Sequence, residues 1–177
     1  VQRAAALVAK PSFAPPAMSA HKYMRGLAGI VAGEMPGATL LAAAAAMHGG
    51  AGYVKLFSDT APAVRPADLV VDGNALDQAL GDERIAALLV GPGLGRSASM
   101  QARLRVALQN TIPAVCDADA LVLLTQDMLI DRRAPLVVTP HEGEFARLCD
   151  TFDVPRTDKV QTAQALAQAS DMVIVAK

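Results

Sequence analysis

Aromatic side chains are scarce in this sequence, which has no tryptophan and only 3% aromatic residues among its 177. The hydrophobic share is nevertheless 53%, and much of it is alanine. A chain of this length favours one domain, or most of one, with enough apolar material for a proper core. A core of alanine and valine with few rings suits helices that pack closely on a parallel sheet.

The chain also lacks an excess of charge of either sign. Its 16 Lys and Arg residues nearly balance its 17 Asp and Glu residues, so the net charge is −1. No electrostatic footprint therefore argues for nucleic acid or an anionic membrane as a partner. No apolar run reaches the roughly 18 residues that span a bilayer, and no signal-peptide layout opens the sequence. We therefore expect a cytoplasmic protein that binds neither nucleic acid nor membrane.

Cysteine and histidine, the usual zinc ligands, are few and scattered. The two cysteines, Cys116 and Cys149, have no metal-ligand spacing, and the three histidines show no spacing pattern either. Buried, reduced thiols are the expected state of the cysteines, with a disulfide as the alternative. His21 and His48 are expected at the surface or at helix ends. The sequence therefore predicts no metal-binding residues.

Strand and helix patterns alternate along most of the chain. A short helix is predicted at residues 1–10, followed by an extended, proline-rich segment at residues 11–16. Strands are then predicted at 27–32, 53–57, 68–71, 85–90, 113–116, 136–138 and 172–175, and helices at 36–48, 75–80, 97–109, 118–124, 142–149 and 157–168. Ser97 and Thr157 are the expected N-caps of their helices. Such alternation predicts an α/β fold with a mostly parallel sheet covered on both faces.

A glycine-rich turn, Gly-Pro-Gly-Leu-Gly at residues 91–95, follows one of the predicted buried strands. Glycines there let the backbone approach a ligand closely and present N–H groups to a phosphate. The alternative is an ordinary turn that needs glycine only for its backbone angles. The spacing is neither that of the dinucleotide-binding fingerprint nor that of a P-loop.

Two further strand ends carry charged residues. Asp117 stands at the tip of a predicted strand, where it could orient a metal–phosphate group. Asp119 could contact a ligand or simply cap the helix that follows. Lys177, after the last predicted strand, could meet a phosphate as a point charge, or be a residue without a special role.

The segment Thr-Pro-His-Glu-Gly-Glu-Phe at residues 139–145 joins a predicted strand to a helix. Glu142 or Glu144 suits the helix dipole, whereas His141 has no structural role that the sequence reveals. A histidine in such a turn can hydrogen-bond a substrate or exchange protons near neutral pH. Because ligands of α/β proteins bind at the carboxyl edge of the sheet, we expect the three turns to form one binding edge.

Taken together, the motifs resemble those of the ADP/ATP-dependent NAD(P)H-hydrate dehydratases. The resemblance rests on Gly-Ala-Thr-Leu-Leu-Ala at 37–42, Gly-Ala-Gly-Tyr-Val at 50–54, the turn at 91–95, Asp-Ala-Asp-Ala-Leu at 117–121 and Thr-Pro-His-Glu-Gly-Glu-Phe-Ala-Arg-Leu at 139–148. It implies a ribokinase-like, three-layer α/β/α sandwich. It also implies a lyase of metabolite repair, which removes water from hydrated NADH or NADPH at the expense of ATP or ADP, with Mg²⁺.

The resemblance also implies roles for particular residues. By match, Ala38, Gly93 and His141 would contact the hydrated dinucleotide, whereas Gly91, Gly95, Asp117 and Lys177 are candidate contacts for phosphate or nucleotide. The catalytic aspartate is expected beyond Lys177, so this chain alone is expected to be inactive.

The resemblance also implies a domain organisation. Residues 17–177 are expected to be a partial dehydratase domain that lacks its C-terminal part. Residues 1–16 would be an N-terminal arm, or a linker behind a fused epimerase domain. The family is often oligomeric, so a homo-oligomer is expected. Two alternatives stay open: a kinase of the same fold acting on a vitamin-precursor alcohol, and a non-catalytic nucleotide-binding domain.

Overall fold

The fold is built on a seven-stranded sheet in which every neighbouring pair of strands is parallel. The computed structural model describes residues 5–15 and 17–177. The strand order is β3-β2-β1-β4-β5-β6-β7. The strands are β1 (Leu27–Val31), β2 (Tyr53–Phe57), β3 (Val70–Asp72), β4 (Ile85–Val90), β5 (Ala114–Cys116), β6 (Leu136–Val138) and β7 (Val173–Ile174).

The helices follow the strands in alternation, as the sequence predicts. They are α1 (Pro36–His48), α2 (Leu76–Ala79), α3 (Ala98–Leu108), α4 (Asp119–Leu123), α5 (Glu142–Thr151) and α6 (Lys159–Ser170), with 3₁₀ turns at Lys22–Arg25 and Gln126–Met128. Ser97 caps α3 as predicted, because its hydroxyl accepts the Met100 N–H. The predicted cap of α6 is wrong: Asp158, rather than Thr157, accepts the first N–H groups of that helix.

The helix predicted at residues 1–10 is also wrong for the part that the structure describes. Residues 5–10 are exposed and have no regular structure, and the first four residues lie outside the described range. A ten-residue helix without tertiary contacts is only marginally stable in water, so nothing holds this segment helical. Residues 11–15 are likewise exposed and irregular, and Pro16 lies outside the described residues.

Helices cover both faces of the sheet, which gives the predicted three layers. On one face α1 packs against β1 and β2, in a cluster that includes Ile30, Ala43 and Leu56. On the other face α2 to α6 contribute to a larger core, which includes Leu104 and Leu148. The α1 face becomes more exposed towards β7, where Val173 is 56% exposed. Within the described residues, no helix is long and apolar enough to cross a bilayer.

Both cysteines are buried and free, as predicted. Cys116 ends β5, and Cys149 lies in α5. Burial raises the pKa of the Cys116 thiol to about 12, despite the nearby positive charge of Arg132. The thiol is therefore protonated and unreactive at neutral pH.

A nearly buried lysine ties the β3 side of the sheet together. Lys55 on β2 is 9% exposed and donates to Asp72 on β3 at 3.3 Å and to Asp82 at 3.0 Å. Arg84 donates to both carboxylate oxygens of Asp82, each at 2.8 Å. Asp72 also accepts hydrogen bonds from the backbone and side-chain amides of Asn74. Each charge in this cluster therefore has a partner of opposite sign or a hydrogen bond.

Candidate functional site

The carboxyl ends of all seven strands lie along one edge, because the sheet is entirely parallel. β1 lies inside the sheet, with β2 on one side and β4 on the other, so the order of the strands reverses at β1. Ligands of open α/β sheets bind outside the carboxyl ends of the strands at such a reversal. The turns after β4, β5 and β6 follow three adjacent strands, which confirms the prediction of a single edge.

The glycine-rich turn after β4 packs against the beginning of α1. Gly91, Gly93 and Gly95 all have positive φ, of 125°, 69° and 87°, a region that residues with side chains rarely adopt. A Cβ on Gly93 would lie 3.0 Å from the Cβ of Ala38 and would overlap the carbonyl oxygen of Met35. The structure thus brings together two of the predicted substrate residues, Ala38 and Gly93. Their small size lets the beginning of α1 pack directly on the turn, which leaves Gly93 buried and Ala38 partly exposed at this point.

Asp119 holds the end of this turn and does not cap its own helix. Its carboxylate accepts the Gly95 N–H at 3.1 Å and the Nε–H of Arg96 at 2.7 Å. Ala118 occupies the cap position of α4, with φ of 50° and no side-chain cap. The predicted N-cap role of Asp119 is therefore wrong, because its carboxylate bonds to the neighbouring turn. Since the Gly95 N–H is already used, Gly95 has no backbone donor left for a phosphate in this arrangement.

Asp117 and Lys177 form an ion pair across the ends of β5, β6 and β7. Lys177 Nζ lies 2.9 Å from Asp117 Oδ1, and the backbone N–H of Lys177 donates to the Pro140 carbonyl at 2.9 Å. Burial alone would raise the pKa of Asp117, but hydrogen bonds from Lys177 and Thr139 outweigh it and hold the pKa below its usual 3.8. Asp117 is therefore ionised at neutral pH and positions the Lys177 ammonium at the edge of the sheet.

His141 has a structural role that the sequence did not reveal, so that part of the prediction is wrong. It is the N-cap of α5, where its Nδ1 accepts the N–H groups of Gly143 at 3.0 Å and Glu144 at 3.5 Å. Glu144 Oε2 in return accepts the His141 backbone N–H at 2.9 Å, which completes a capping box. Because Nδ1 is the acceptor, the neutral imidazole carries its proton on Nε2. The side chain is 64% exposed, and its Nε2 lies 3.3 Å from Glu144 Oε1, so the Nε2–H faces both its capping partner and the solvent at the edge of the sheet.

A cleft that the sequence did not predict opens at the ends of β1 and β2. Arg103 on α3 anchors it by donating to the carbonyl groups of Ala32 at 2.9 Å and Phe57 at 3.0 Å, and by pairing with Asp59 at 3.1 Å. The cleft has a volume of about 330 Å³ and is lined by Ala32, Gly33, Glu34, Pro36, Ser58, Asp59, Thr60, Ala61, Pro62, Met100 and Arg103. Arg103 lies in the middle of an ordinary helical pattern, so no local signal could have identified it.

The predicted residues therefore fall into two groups along the edge. One group surrounds the contact between α1 and the turn after β4, and the other lies at the ends of β5, β6 and β7. The first contains Ala38, Gly93 and Gly95, and the second contains Asp117, His141 and Lys177; Gly91 packs against the Asp117 carbonyl group and so lies between them. In the part of the chain that the structure describes, no three His, Cys, Asp or Glu side chains are placed to hold a metal ion.

Comparisons with known structures agree with this architecture. The structure superposes on a ribokinase-like superfamily protein from Enterococcus faecalis with a TM-score of 0.76 at 22% identity, over 92% of this chain and 61% of that one. The ADP/ATP-dependent NAD(P)H-hydrate dehydratase from Bacillus subtilis, co-crystallized with ATP/Mg²⁺, superposes with a TM-score of 0.74 at 29% identity, over 92% of this chain and 61% of that one. The predicted ribokinase-like fold is thereby confirmed.

Sequence comparisons point to one family. The bifunctional NAD(P)H-hydrate repair enzyme Nnr of Mycobacterium leprae is 36% identical over 166 residues, which make up 92% of this chain and 34% of that protein. The ADP-dependent (S)-NAD(P)H-hydrate dehydratase of Bacillus subtilis is 37% identical over 140 residues, or 72% of this chain and 49% of that protein. The chain thus spans between a third and a half of the length of these relatives. A family model described as NAD(P)H-hydrate dehydratase matches residues 28–177, and the chain therefore belongs to the NAD(P)H-hydrate dehydratase family.

Proposed function

We propose that the protein repairs nicotinamide coenzymes by removing water from hydrated NADH or NADPH, in a reaction driven by ATP or ADP. The observation that carries this proposal is the contact between Ala38 and Gly93 at the carboxyl edge that also bears His141. These residues lie on a ribokinase-like sheet in a chain of the dehydratase family. A small helix residue, a glycine of close approach and an imidazole donor suit a large anionic ligand at such an edge.

We assign different tasks to the three substrate residues. Gly93 lets α1 pack closely on the glycine-rich turn, and this packing sets the position of the partly exposed Ala38, near which a ring or a sugar of the ligand would lie. His141 donates its Nε2–H to an oxygen atom of the ligand, while its Nδ1 stays fixed by the capping contacts of α5. The cap thus holds the imidazole in one tautomer and one orientation.

We place the phosphates of ATP or ADP near Lys177, with Asp117 as its partner and Gly91 and Gly95 in the adjoining turn. The lysine supplies a positive charge and the ion pair sets its position. Mg²⁺ binds proteins through one or two carboxylates together with phosphate oxygens and water. Since the described residues build no metal cluster, the ion would reach this site together with the nucleotide and neutralise its phosphate charge.

The experiment follows the recovery of reduced-nicotinamide absorbance from hydrated NADH or NADPH, with ATP or ADP, using the full-length protein. His141→Asn should keep the helix cap but lower kcat/KM by about tenfold or more, the scale of one hydrogen bond to a charged or polarised ligand. His48→Asn is the matched control, because His48 ends α1 and bonds only to the Ala44 carbonyl.

Two outcomes would contradict the proposal. The first is an absence of recovery in the full-length protein with either nucleotide. The second is phosphorylation of a hydroxymethyl-pyrimidine or thiazole alcohol in place of dehydration, which would favour the kinase alternative. A protein that bound nucleotide and did neither would favour the non-catalytic alternative.

We further propose that the enzyme is cytoplasmic, that it self-associates, and that the full-length protein has a second, epimerase activity. The exposed Val173 and Val175 on the β7 side support self-association, and light scattering would show a mass above that of one chain. The word "bifunctional" in the name of the Mycobacterium leprae relative supports a fused second activity. Epimerisation of the hydrated coenzyme by the full-length protein, without ATP or ADP, tests it.

A further inference from the structure

Arg96 directly follows the glycine-rich turn and uses only part of its guanidinium group. Its Nε donates to Asp119 Oδ1 at 2.7 Å, and its side chain is 66% exposed. Within residues 5–15 and 17–177, neither terminal nitrogen of Arg96 has a hydrogen-bond partner. Four N–H donors and a full positive charge therefore stand beside a turn whose Gly95 N–H is already taken.

Asp119 fixes both the backbone of Gly95 and the side chain of Arg96. It is 7% exposed and accepts the Gly95 N–H with one carboxylate oxygen and the Arg96 Nε–H with the other. Burying a carboxylate is costly unless it is paired, so the two contacts hold each other in place. Ala118, directly before Asp119, has a positive φ while the Asp119 carboxylate bonds to the neighbouring turn.

Arginine in this setting is suited to one class of ligand. A guanidinium held through Nε keeps its outer nitrogens for a planar, bidentate contact, which matches phosphate oxygens well. If Arg96 served only to neutralise Asp119, a second hydrogen bond to the same carboxylate would stabilise the pair further. That second oxygen is instead given to the backbone N–H of Gly95.

We propose that Arg96 binds a phosphate group of the ligand that lies on the glycine-rich turn, with Asp119 as its positioning residue. The identity of that ligand, a hydrated dinucleotide with its diphosphate, rests on the proposed function. The anion site itself does not. Arg96 would hold the charged centre of the dinucleotide, while one of its uncharged parts would lie near Ala38, which packs against the same turn.

The negative charge of Glu34 lies near the proposed anion site and provides a second test of it. The Glu34 carboxylate packs against Gly95, and one of its oxygens accepts the hydroxyl group of Ser97. Removing that negative charge with Glu34→Gln should therefore strengthen the binding of an anion, by about twofold to fivefold at low salt. A variant that gains affinity is hard to explain by damage to the fold.

The experiment measures binding by calorimetry at low salt, using the full-length protein. The probes are hydrated NADH, its phosphate-free fragment (hydrated reduced nicotinamide riboside) and inorganic pyrophosphate. Arg96→Gln should weaken binding of both phosphate-bearing probes by about tenfold or more and leave the riboside unchanged. Arg96→Lys should lose less, because it keeps the charge. Arg105→Gln is the matched control, because Arg105 also pairs with an aspartate, Asp127, at 2.7 Å but lies on α3 away from the turn.

The positioning role of Asp119 is tested by a double-mutant cycle. Asp119→Asn should weaken pyrophosphate binding in the wild-type protein but have no further effect when Arg96 is already glutamine. A purely structural aspartate would weaken binding equally in both backgrounds. Thermal unfolding of each variant verifies that the folded protein is being compared.

The outcomes separate the two proposals. Pyrophosphate binding that depends on Arg96, without binding of hydrated NADH, would sustain the anion site and reject the proposed function. Equal affinity of Arg96→Gln and wild type for both phosphate-bearing probes would reject the anion site. The anion site would also be rejected if Arg96→Gln weakened binding of the riboside as much as binding of the phosphate-bearing probes. The same holds if the wild-type protein bound neither phosphate-bearing probe.

Discussion

Replacing Lys55 with methionine should lower the free energy of unfolding by about 3 kcal/mol. Removing one partner of a buried ion pair costs about 3–5 kcal/mol, because the remaining charge is left uncompensated. The lower end applies here, since Asp82 keeps its two bonds from Arg84 and Asp72 keeps those from Asn74. Methionine has a stem of similar length, so no large cavity should add to the loss.

Urea unfolding at pH 7, followed by far-ultraviolet circular dichroism, measures this effect. With a denaturant dependence of about 2 kcal/mol per molar urea, the midpoint should fall by about 1.5 M. The control is Arg105→Gln, which breaks an exposed pair with Asp127 and should cost less than about 1 kcal/mol. A midpoint for Lys55→Met that falls no further than that of the control would refute the reasoning. Adding Asp72→Asn should recover part of the loss, because it removes an uncompensated charge.

The pKa shifts predict how the stability difference between the wild-type protein and Lys55→Met depends on pH. Hydrogen bonds, first from Arg84 and then from Lys55, hold the pKa of Asp82 well below 3.8, and bonds from Asn74 and Lys55 lower that of Asp72. Depressed carboxyl pKa values stabilise the fold above about pH 4, and this stability is lost as the pH falls through the folded-state values. Burial lowers the pKa of Lys55, but its bonds to Asp82 and Asp72 outweigh burial and raise it above 10.5. The lysine therefore contributes below about pH 10, so the deficit of Lys55→Met should be largest between about pH 5 and 9 and shrink below pH 4.

Three further predictions concern single positions. Gly33→Ala should destabilise the protein by about 2 kcal/mol or more, because its Cβ would overlap the Leu94 backbone. Gly37→Ala in α1 should instead stabilise the protein by about 0.5–1 kcal/mol, because that Cβ meets nothing within 4 Å. Thermal unfolding of the two variants tests both signs. Arg132→Met should cost about 2–3 kcal/mol in urea unfolding, because the guanidinium donates to three backbone carbonyl groups at the amino edge of the sheet. Cys116 should resist alkylation at pH 8 until the protein unfolds, and modification of the native protein at the rate of a free thiol would contradict its raised pKa.

Local signals were sufficient for most of the fold. β2 and β4 match their predicted ranges to the residue, because each is a compact apolar run bounded by turn residues. α1 also begins where Pro36 predicts, since proline is favoured in the first helical turn. β7 is shorter than predicted, at two residues, because within the described residues it has one neighbouring strand, β6.

The functional edge was predictable in its location but not in its contacts. The positions of the turns follow from strand ends, whereas the partners of Asp119 lie more than twenty residues away and depend on how the turns pack. The capping role of His141 did have a local signal, the glutamate three residues later, but serine or threonine is the usual first member of a capping box. Arg103 lies on a helix without any local pattern, so its bonds to the ends of β1 and β2 required the fold itself.

The interior position of β1 has a consequence for synthesis on the ribosome. This strand emerges before the other six strands of the sheet, yet one of its two neighbours, β4, is made only after β2 and β3. Until Ile85–Val90 has emerged, one edge of β1 has no partner and could pair with another nascent chain. The β1 sequence, Leu-Ala-Gly-Ile-Val, has a glycine at its centre, which weakens its tendency to form a strand on its own. Gly29 is required in the finished sheet by the closeness of Phe57 and Leu88, and we expect the same glycine to make the unfinished sheet less prone to aggregate.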